Sequence, residues 1–134
     1  MTTTGWTPAL AVGHDGIDLQ HEELFRGAGR LVDAMVAGDR TAVSRLFDFL
    51  GDRFADHFAA EEQLMRESGF PGYNVHRAAH ERFVRDLKAL RRLHEESGAN
   101  SAVAIKARTW ILEWLRGHIG SNQRLARHLL AQAG

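Results

Sequence analysis

Apolar residues recur at intervals of three and four along most of this chain, which is the period of an α-helix with one buried face. The first such stretch covers residues 17–37 and breaks at Gly38. A second begins after Asp39 or Thr41, either of which can cap a helix N-terminus, and it ends in the turn-forming segment 68–72. These two stretches predict the first two helices.

Two further helical stretches follow in the second half of the chain. The third opens near Asn74 and stops at Ser97 and Gly98. The fourth is capped by Asn100 or Ser101 and carries apolar residues, Ile105 among them, on or beside one face. No stretch alternates apolar and polar residues as a strand does, so the predicted fold class is all-α.

The connections between these helices are short, which predicts an up-down-up-down four-helix bundle over residues 17–132. Residues 1–16 have no helical period and are predicted to form an extended N-terminal arm, anchored by Trp6. A chain of 134 residues is long enough to bury one sizeable core. We therefore predict a single domain over residues 1–134.

The apolar stripe of every predicted helix also carries histidine where Leu or Phe would be expected. The polar residues on these stripes are His21, His57, Glu61, His76, His80 and His118. Burying such groups without partners costs about 1–3 kcal/mol each. Residues four apart share a helix face, so His57 with Glu61 can converge on one point and His76 with His80 on another. The pattern predicts a shared metal, and five imidazoles exceed what one four-coordinate ion takes, so two metals are favoured.

Each part of this pattern has an alternative explanation. One histidine pair can arise by chance among eight histidines, and a single core histidine is more often structural than a ligand. The metal prediction depends on the coincidence of all five on the inward faces of four helices. The remaining histidines, His14, His94 and His128, are predicted to be surface or capping groups, and Glu62 is predicted to be solvated.

Composition narrows the chemistry and the possible partners. The chain has no cysteine, which excludes thiolate metal sites, iron–sulfur clusters and cysteine nucleophiles. Imidazole ligands suit Fe, Zn, Cu or Ni. Basic and acidic residues balance at 17 each, so no net charge favours nucleic acid or an anionic membrane. The start lacks a leader pattern and no segment is apolar enough to span a bilayer, so we expect a soluble, cytoplasmic protein.

With these residues in these places, the chain resembles the hemerythrin family, and more closely its bacterial branch. The segments that carry the resemblance are Trp6, 16–25 (GIDLQHEELF), 57–65 (HFAAEEQLM), Pro71 with 76–80 (HRAAH), and 114–119 (WLRGHI). The resemblance implies a non-haem protein with two iron ions joined by an oxo or hydroxo bridge. It also implies reversible O2 binding for storage, delivery or sensing, and no enzymatic activity.

The resemblance also assigns roles to individual residues. It places one iron on His76, His80 and His118 and the other on His21 and His57, with Glu61 bridging them. It maps an apolar O2 pocket onto Leu24, Trp114, Leu115 and Ile119, which an ordinary core would also explain. Asp18 could hold a ligand imidazole, or it could be a first-turn acid favoured by the helix dipole.

One position departs from the family pattern. Hemerythrins carry a second bridging carboxylate five residues after the last histidine, and here that position is Gln123. Gln123 or Asn122 could coordinate metal through an amide oxygen, although an amide bridges two metals poorly. The ligand is expected to be O2 or another small diatomic or anionic molecule. The alternatives are a di-iron enzyme that turns over peroxide, O2 or nitric oxide, and a binding module with one metal or none.

Overall fold

The computed structural model describes residues 11–98 and 101–133, and within them it forms four α-helices. The helices are α1 (Asp15–Ala37), α2 (Arg40–Ser68), α3 (Tyr73–Ser97) and α4 (Ser101–Ala133). The predicted all-α four-helix fold is confirmed. The helix α1 begins at Asp15 rather than at residue 17, because the side chain of His14 caps it by accepting the N–H of Ile17 at 3.2 Å. Trp6 and Asn100 lie outside the described residues.

Glycines and one aspartate set the turns between the helices. Gly38 and Gly69 adopt positive φ angles of 74° and 65° at the C-termini of α1 and α2, a conformation that glycine reaches without a steric penalty. Asp39 accepts a hydrogen bond from the N–H of Ala42 at 3.0 Å and thereby caps α2. Of the two predicted caps, Asp39 and Thr41, it is therefore Asp39 that begins this helix. The chain therefore reverses direction within a few residues, and each helix packs against its sequence neighbour.

The interior consists of two apolar clusters with a polar layer between them. The larger cluster holds Leu24, Phe58 and Ile119, and the smaller one holds Ile17, Met65 and Leu125. On each of α1, α2 and α4, polar core residues lie between a residue of the small cluster and a residue of the large one. The layer therefore lies across the bundle near the start of α1 and the end of α2.

One predicted core position is wrong. Ile105 is 66% exposed, because the first turns of α4 bury Val103, Ala104 and Ala107 instead. Elsewhere the predicted stripes face inward as expected. None of the helices in the described residues has an apolar stretch long enough to cross a lipid bilayer.

Candidate metal centre

The polar layer contains two groups of donor atoms that could each hold a metal ion. His21, His57 and His118 form one group, and Glu61, His76 and His80 form the other. Within each group the donor atoms lie within 4.8 Å of one another, and all six residues are buried. The structure thus brings together the five histidines and the glutamate that the sequence pattern singled out.

His118 of α4 belongs to the first group and lies next to the second. The ring of His118 is 5.3 Å from the ring of His57 and 5.3 Å from the ring of His80. The resemblance assigns His118 to the ion on His76 and His80, whereas its donor atom groups with His21 and His57 in the structure. Its place between the groups is compatible with either ion.

Three donor atoms converge at the centre of the layer. Oε2 of Glu61 is 2.6 Å from Nε2 of His57 and 2.8 Å from Nε2 of His118, and the two nitrogens are 3.2 Å apart. Ligands at right angles on one ion with bonds of about 2.1 Å are about 3 Å apart. These separations are those of hydrogen bonds, and they are also close to the separations of neighbouring ligands around a cation.

The outer nitrogen of His57 shows which ring nitrogen is available to a metal. Nδ1 of His57 lies 2.6 Å from the amide oxygen Oε1 of Gln20, to which it donates its proton. In the neutral ring Nε2 then carries a lone pair, which faces a carboxylate oxygen and a second imidazole. Two electron-rich atoms this close need a cation between them, either a proton or a metal ion.

The ionisation of the site matches what metal binding requires. Burial lowers the pKa of both His21 and His80 to about 3, and it lowers the pKa of His76 as well. Burial alone would raise the pKa of Glu61, but His118 and His57 outweigh it and hold this pKa well below 4.5. At neutral pH these three imidazoles are uncharged and the carboxylate is ionised, which are the metal-binding forms.

Several buried nitrogens have no hydrogen-bond partner in the described residues. Those in the layer are Nδ1 of His21 and both ring nitrogens of His80, and Nε2 of His94 is a further one outside it. Each such atom costs about 1–3 kcal/mol when it stays unsatisfied. Oε2 of Glu62 lies 3.5 Å from Nδ1 of His80, too far for a good hydrogen bond but near enough to orient the ring. Glu62 is thus mostly buried beside His80, and the prediction that it is solvated is wrong.

Asp18 does not hold a ligand imidazole. Its carboxylate accepts hydrogen bonds from the N–H of Val12 at 2.7 Å and from the N–H of Gly13 at 3.3 Å. These bonds hold the residues that precede α1 against the first turn of that helix. Gln20 is the residue near Asp18 that contacts an imidazole of the layer, that of His57. Sequence reasoning missed Gln20 because its contact with His57 joins residues 37 positions apart, and no local spacing indicates such a pair.

The two amides after His118 have different environments. Asn122 is fully buried, and it contacts His21 and Glu61. Gln123 is partly exposed and takes no part in those contacts. A same-face argument points to Asn122, since it follows His118 by four positions.

The residues assigned to the apolar pocket surround the donors on the side of the larger cluster. Leu24, Leu115 and Ile119 are at most 2% exposed. Trp114 stacks on His118 with ring centroids 4.6 Å apart, and Phe58 stacks on His80 at 3.9 Å. These contacts fix the imidazole planes and keep that side of the layer apolar.

The three histidines outside the layer behave in two ways. His14 caps α1, and Nε2 of His128 donates to the carbonyl of Ser68 at the end of α2 at 2.8 Å, so both are capping groups as predicted. His94 is not a surface group, because its side chain is buried (6% exposed) where α3 packs on the start of α2.

Comparison with known proteins agrees with this geometry. A family model described as the hemerythrin HHE cation binding domain matches residues 12–125. The bacteriohemerythrin of Stenotrophomonas maltophilia is 34% identical over 127 residues, which cover 94% of this chain and 81% of that protein. The myohemerythrin of Riftia pachyptila is 28% identical over 112 residues, which cover 84% of each chain.

A solved structure has the same fold. The crystal structure of a hemerythrin leucine-to-tyrosine mutant aligns with a TM-score of 0.77 at 22% identity, covering 94% of this chain and 98% of that one. At this identity the likeness shows the four-helix bundle alone.

Proposed function

The chain belongs to the hemerythrin family, and on that premise we propose that it holds two non-haem iron ions and binds O2 reversibly. The residues proposed to hold the ions are His21, His57, Glu61, His76, His80 and His118. The observation that carries this proposal is the buried layer of five imidazoles around one ionised carboxylate, with donor atoms close to the spacing of ligands.

The protein side chains have three tasks in this function. Glu61 contributes negative charge between the two groups and would bridge the ions. Gln20 keeps the proton of His57 on Nδ1, so that Nε2 is available. The proposed O2 pocket, formed by Leu24, Trp114, Leu115 and Ile119, excludes water from the side where the ligand would bind. When bound, the iron pair supplies the coordination positions and electrons that O2 requires.

The test is iron content together with the visible spectrum. We expect about two iron ions per chain, and a visible absorption that appears in air and disappears under argon through repeated cycles. The variant His80→Ala should lose iron and this absorption, because His80 offers two buried nitrogens without partners. His14→Ala is the matched control, since His14 lies outside both groups and only caps α1.

Other results would support the alternatives. One iron ion or none per chain would favour a binding module with one metal or none. Sustained consumption of added peroxide or nitric oxide, with no reversible change of spectrum, would favour an enzyme. Either result would contradict the carrier function.

A further inference from the structure

Asn122 lies inside the donor layer although it belongs to neither group of three donors. It follows His118 by one helical turn on α4, and its side chain is completely buried. Oδ1 of Asn122 is 2.7 Å from Nε2 of His21, and Nδ2 donates to Oε1 of Glu61 at 2.5 Å. The amide therefore connects a donor of α1 with the carboxylate of α2.

The position of this amide oxygen suits coordination to an ion held by His21. Neighbouring ligand atoms on one ion are about 3 Å apart when the bonds are about 2.1 Å. The 2.7 Å between Oδ1 and Nε2 of His21 is a hydrogen-bond distance that is also close to this spacing, and the same holds for the atoms of Glu61, His57 and His118. Amide oxygens are ordinary ligands of divalent cations, and they bring no charge.

We propose that Asn122 is a further metal ligand, with Oδ1 on the ion that His21 would hold; the inference rests on the proposed iron pair. An amide offers one good donor oxygen, so it serves one ion and does not bridge two. The His21 side then has one negative charge fewer than the family pattern provides, and it binds its ion more weakly. Gln123, at the family position of the missing carboxylate, remains outside this arrangement.

The ligands of the ion on the His21 side would bind it more weakly and carry less negative charge, which leaves room for an external anion. A surface cavity of about 320 Å³ between α1 and α2 is lined by Gln20 and Glu61, so it borders the layer. Azide or a small carboxylate is the class of ligand that would supply the missing charge at the ion on the His21 side.

The experiment is a titration of the chelator-treated full chain with Co²⁺, followed by its visible absorption. The parent should bind two Co²⁺ ions, one more weakly than the other, and azide should change the spectrum of the weaker one. Asn122→Leu should weaken that site by at least about 10-fold and leave the stronger one unchanged. Asn122→Asp should tighten it by at least about 10-fold.

Gln123→Leu and Gln123→Asp are the matched controls, and both should reproduce the parent titration. The proposal is overturned if Asn122→Leu binds both ions as the parent does. It is also overturned if Asn122→Leu gains an ion, because the amide would then block the site, or if the Gln123 variants show the shifts expected of Asn122. If Asn122→Leu does not fold, the Co²⁺ affinity of the weaker site in Asn122→Asp tests the proposal.

This titration is independent of oxygen chemistry. A parent that binds two Co²⁺ ions, but whose iron form shows no reversible change with air, would refute the carrier function and leave the ligand assignment standing. If the parent carries oxygen reversibly and Asn122→Leu binds Co²⁺ as the parent does, the carrier function stands and the ligand assignment is refuted.

Discussion

At the scale of single residues, the contact between Gln20 and His57 determines which nitrogen of the ring can bind metal. Gln20 offers an amide oxygen 2.6 Å from Nδ1, and an oxygen can only accept, so the proton stays on Nδ1. Hydrogen-bond acceptors of this kind orient metal-binding imidazoles and increase their basicity. Gln20 therefore contributes to metal affinity without touching the ion.

Gln20→Ala should accordingly weaken metal binding by about 10–100-fold, as loss of such a partner typically does. Competition against a chelator of known affinity measures the change. Gln63→Ala is a suitable control, because Gln63 is an exposed glutamine of α2 whose amide donates to Glu67. Equal affinities for the two variants would show that the His57 ring is oriented by packing alone.

The six candidate ligands could be predicted from the sequence because their signal is local. Each of them occupies an apolar position of a helical stripe, which the helix period of its own segment reveals, and the coincidence of five such histidines on four helices then predicts the metal. Gln20 and Glu62 could not be found in this way, since both act across a helix–helix contact. The resemblance places Gln123 at the position of the second bridging carboxylate, whereas the helix period places Asn122 beside His118 on the inner face.

At the scale of helices, the ends set by glycine and aspartate were predictable because these residues act on backbone groups only a few positions away, whereas the His14 cap moves the start of α1 from the predicted residue 17 to Asp15. Gly38, Asp39 and Gly69 terminate or cap helices as their types require. The inward face at the start of α4 was not predictable, because which side of a helix is covered there depends on where the neighbouring helices end. Ile105 is the case in point, and His94 is the converse, a polar residue that α2 covers.

The contact between α1 and α2 gives a prediction at this scale. A Cβ at Gly27 would come within 2.8 Å of Cδ2 of Leu50, a completely buried side chain, whereas a Cβ at Gly51 would meet nothing within 4 Å. Alanine in an open helical position stabilises by about 0.5–1 kcal/mol relative to glycine. Gly51→Ala should therefore raise the melting temperature, and Gly27→Ala should not.

Thermal unfolding of the two variants, at the same metal content, is the measurement. The comparison isolates close packing, since both changes are glycine to alanine within a helix. A rise of equal size for both would mean that Leu50 rotates away at no cost and that α1 and α2 tolerate a wider separation.

At the scale of the whole molecule, the polar layer interrupts a core that would otherwise be continuous. Its unsatisfied nitrogens and its buried carboxylate reduce the stability of the chain, and bound metal reverses this by pairing them. A ligand present at 100 times its Kd adds about 2.7 kcal/mol. Removing the metal should therefore lower the melting temperature by roughly 10 °C. An unchanged melting curve after verified metal loss would contradict the coupling.

The metal-free chain should also lose stability as the pH falls below about 6.5. The unfolded chain takes up protons on its histidines near the usual pKa of 6.5, whereas His21 and His80 resist protonation in the folded chain down to about pH 3. Above pH 6.5 both states are neutral and these groups contribute nothing. Below it the unfolded state gains protons, and each group reduces the free energy of unfolding by about 1.4 kcal/mol per pH unit.

Denaturant unfolding between pH 6.5 and 5 measures this slope, because the carboxyl of Glu61, with an ordinary pKa of 4.5, does not yet take part. His80→Phe is the informative variant. Phenylalanine can keep the stack on Phe58 while removing one of the groups that resist protonation, so the loss of stability with falling pH should become shallower. A parent whose stability is flat across this range would mean that the imidazoles are protonated in the folded chain, and the layer would then repel a metal ion rather than bind it.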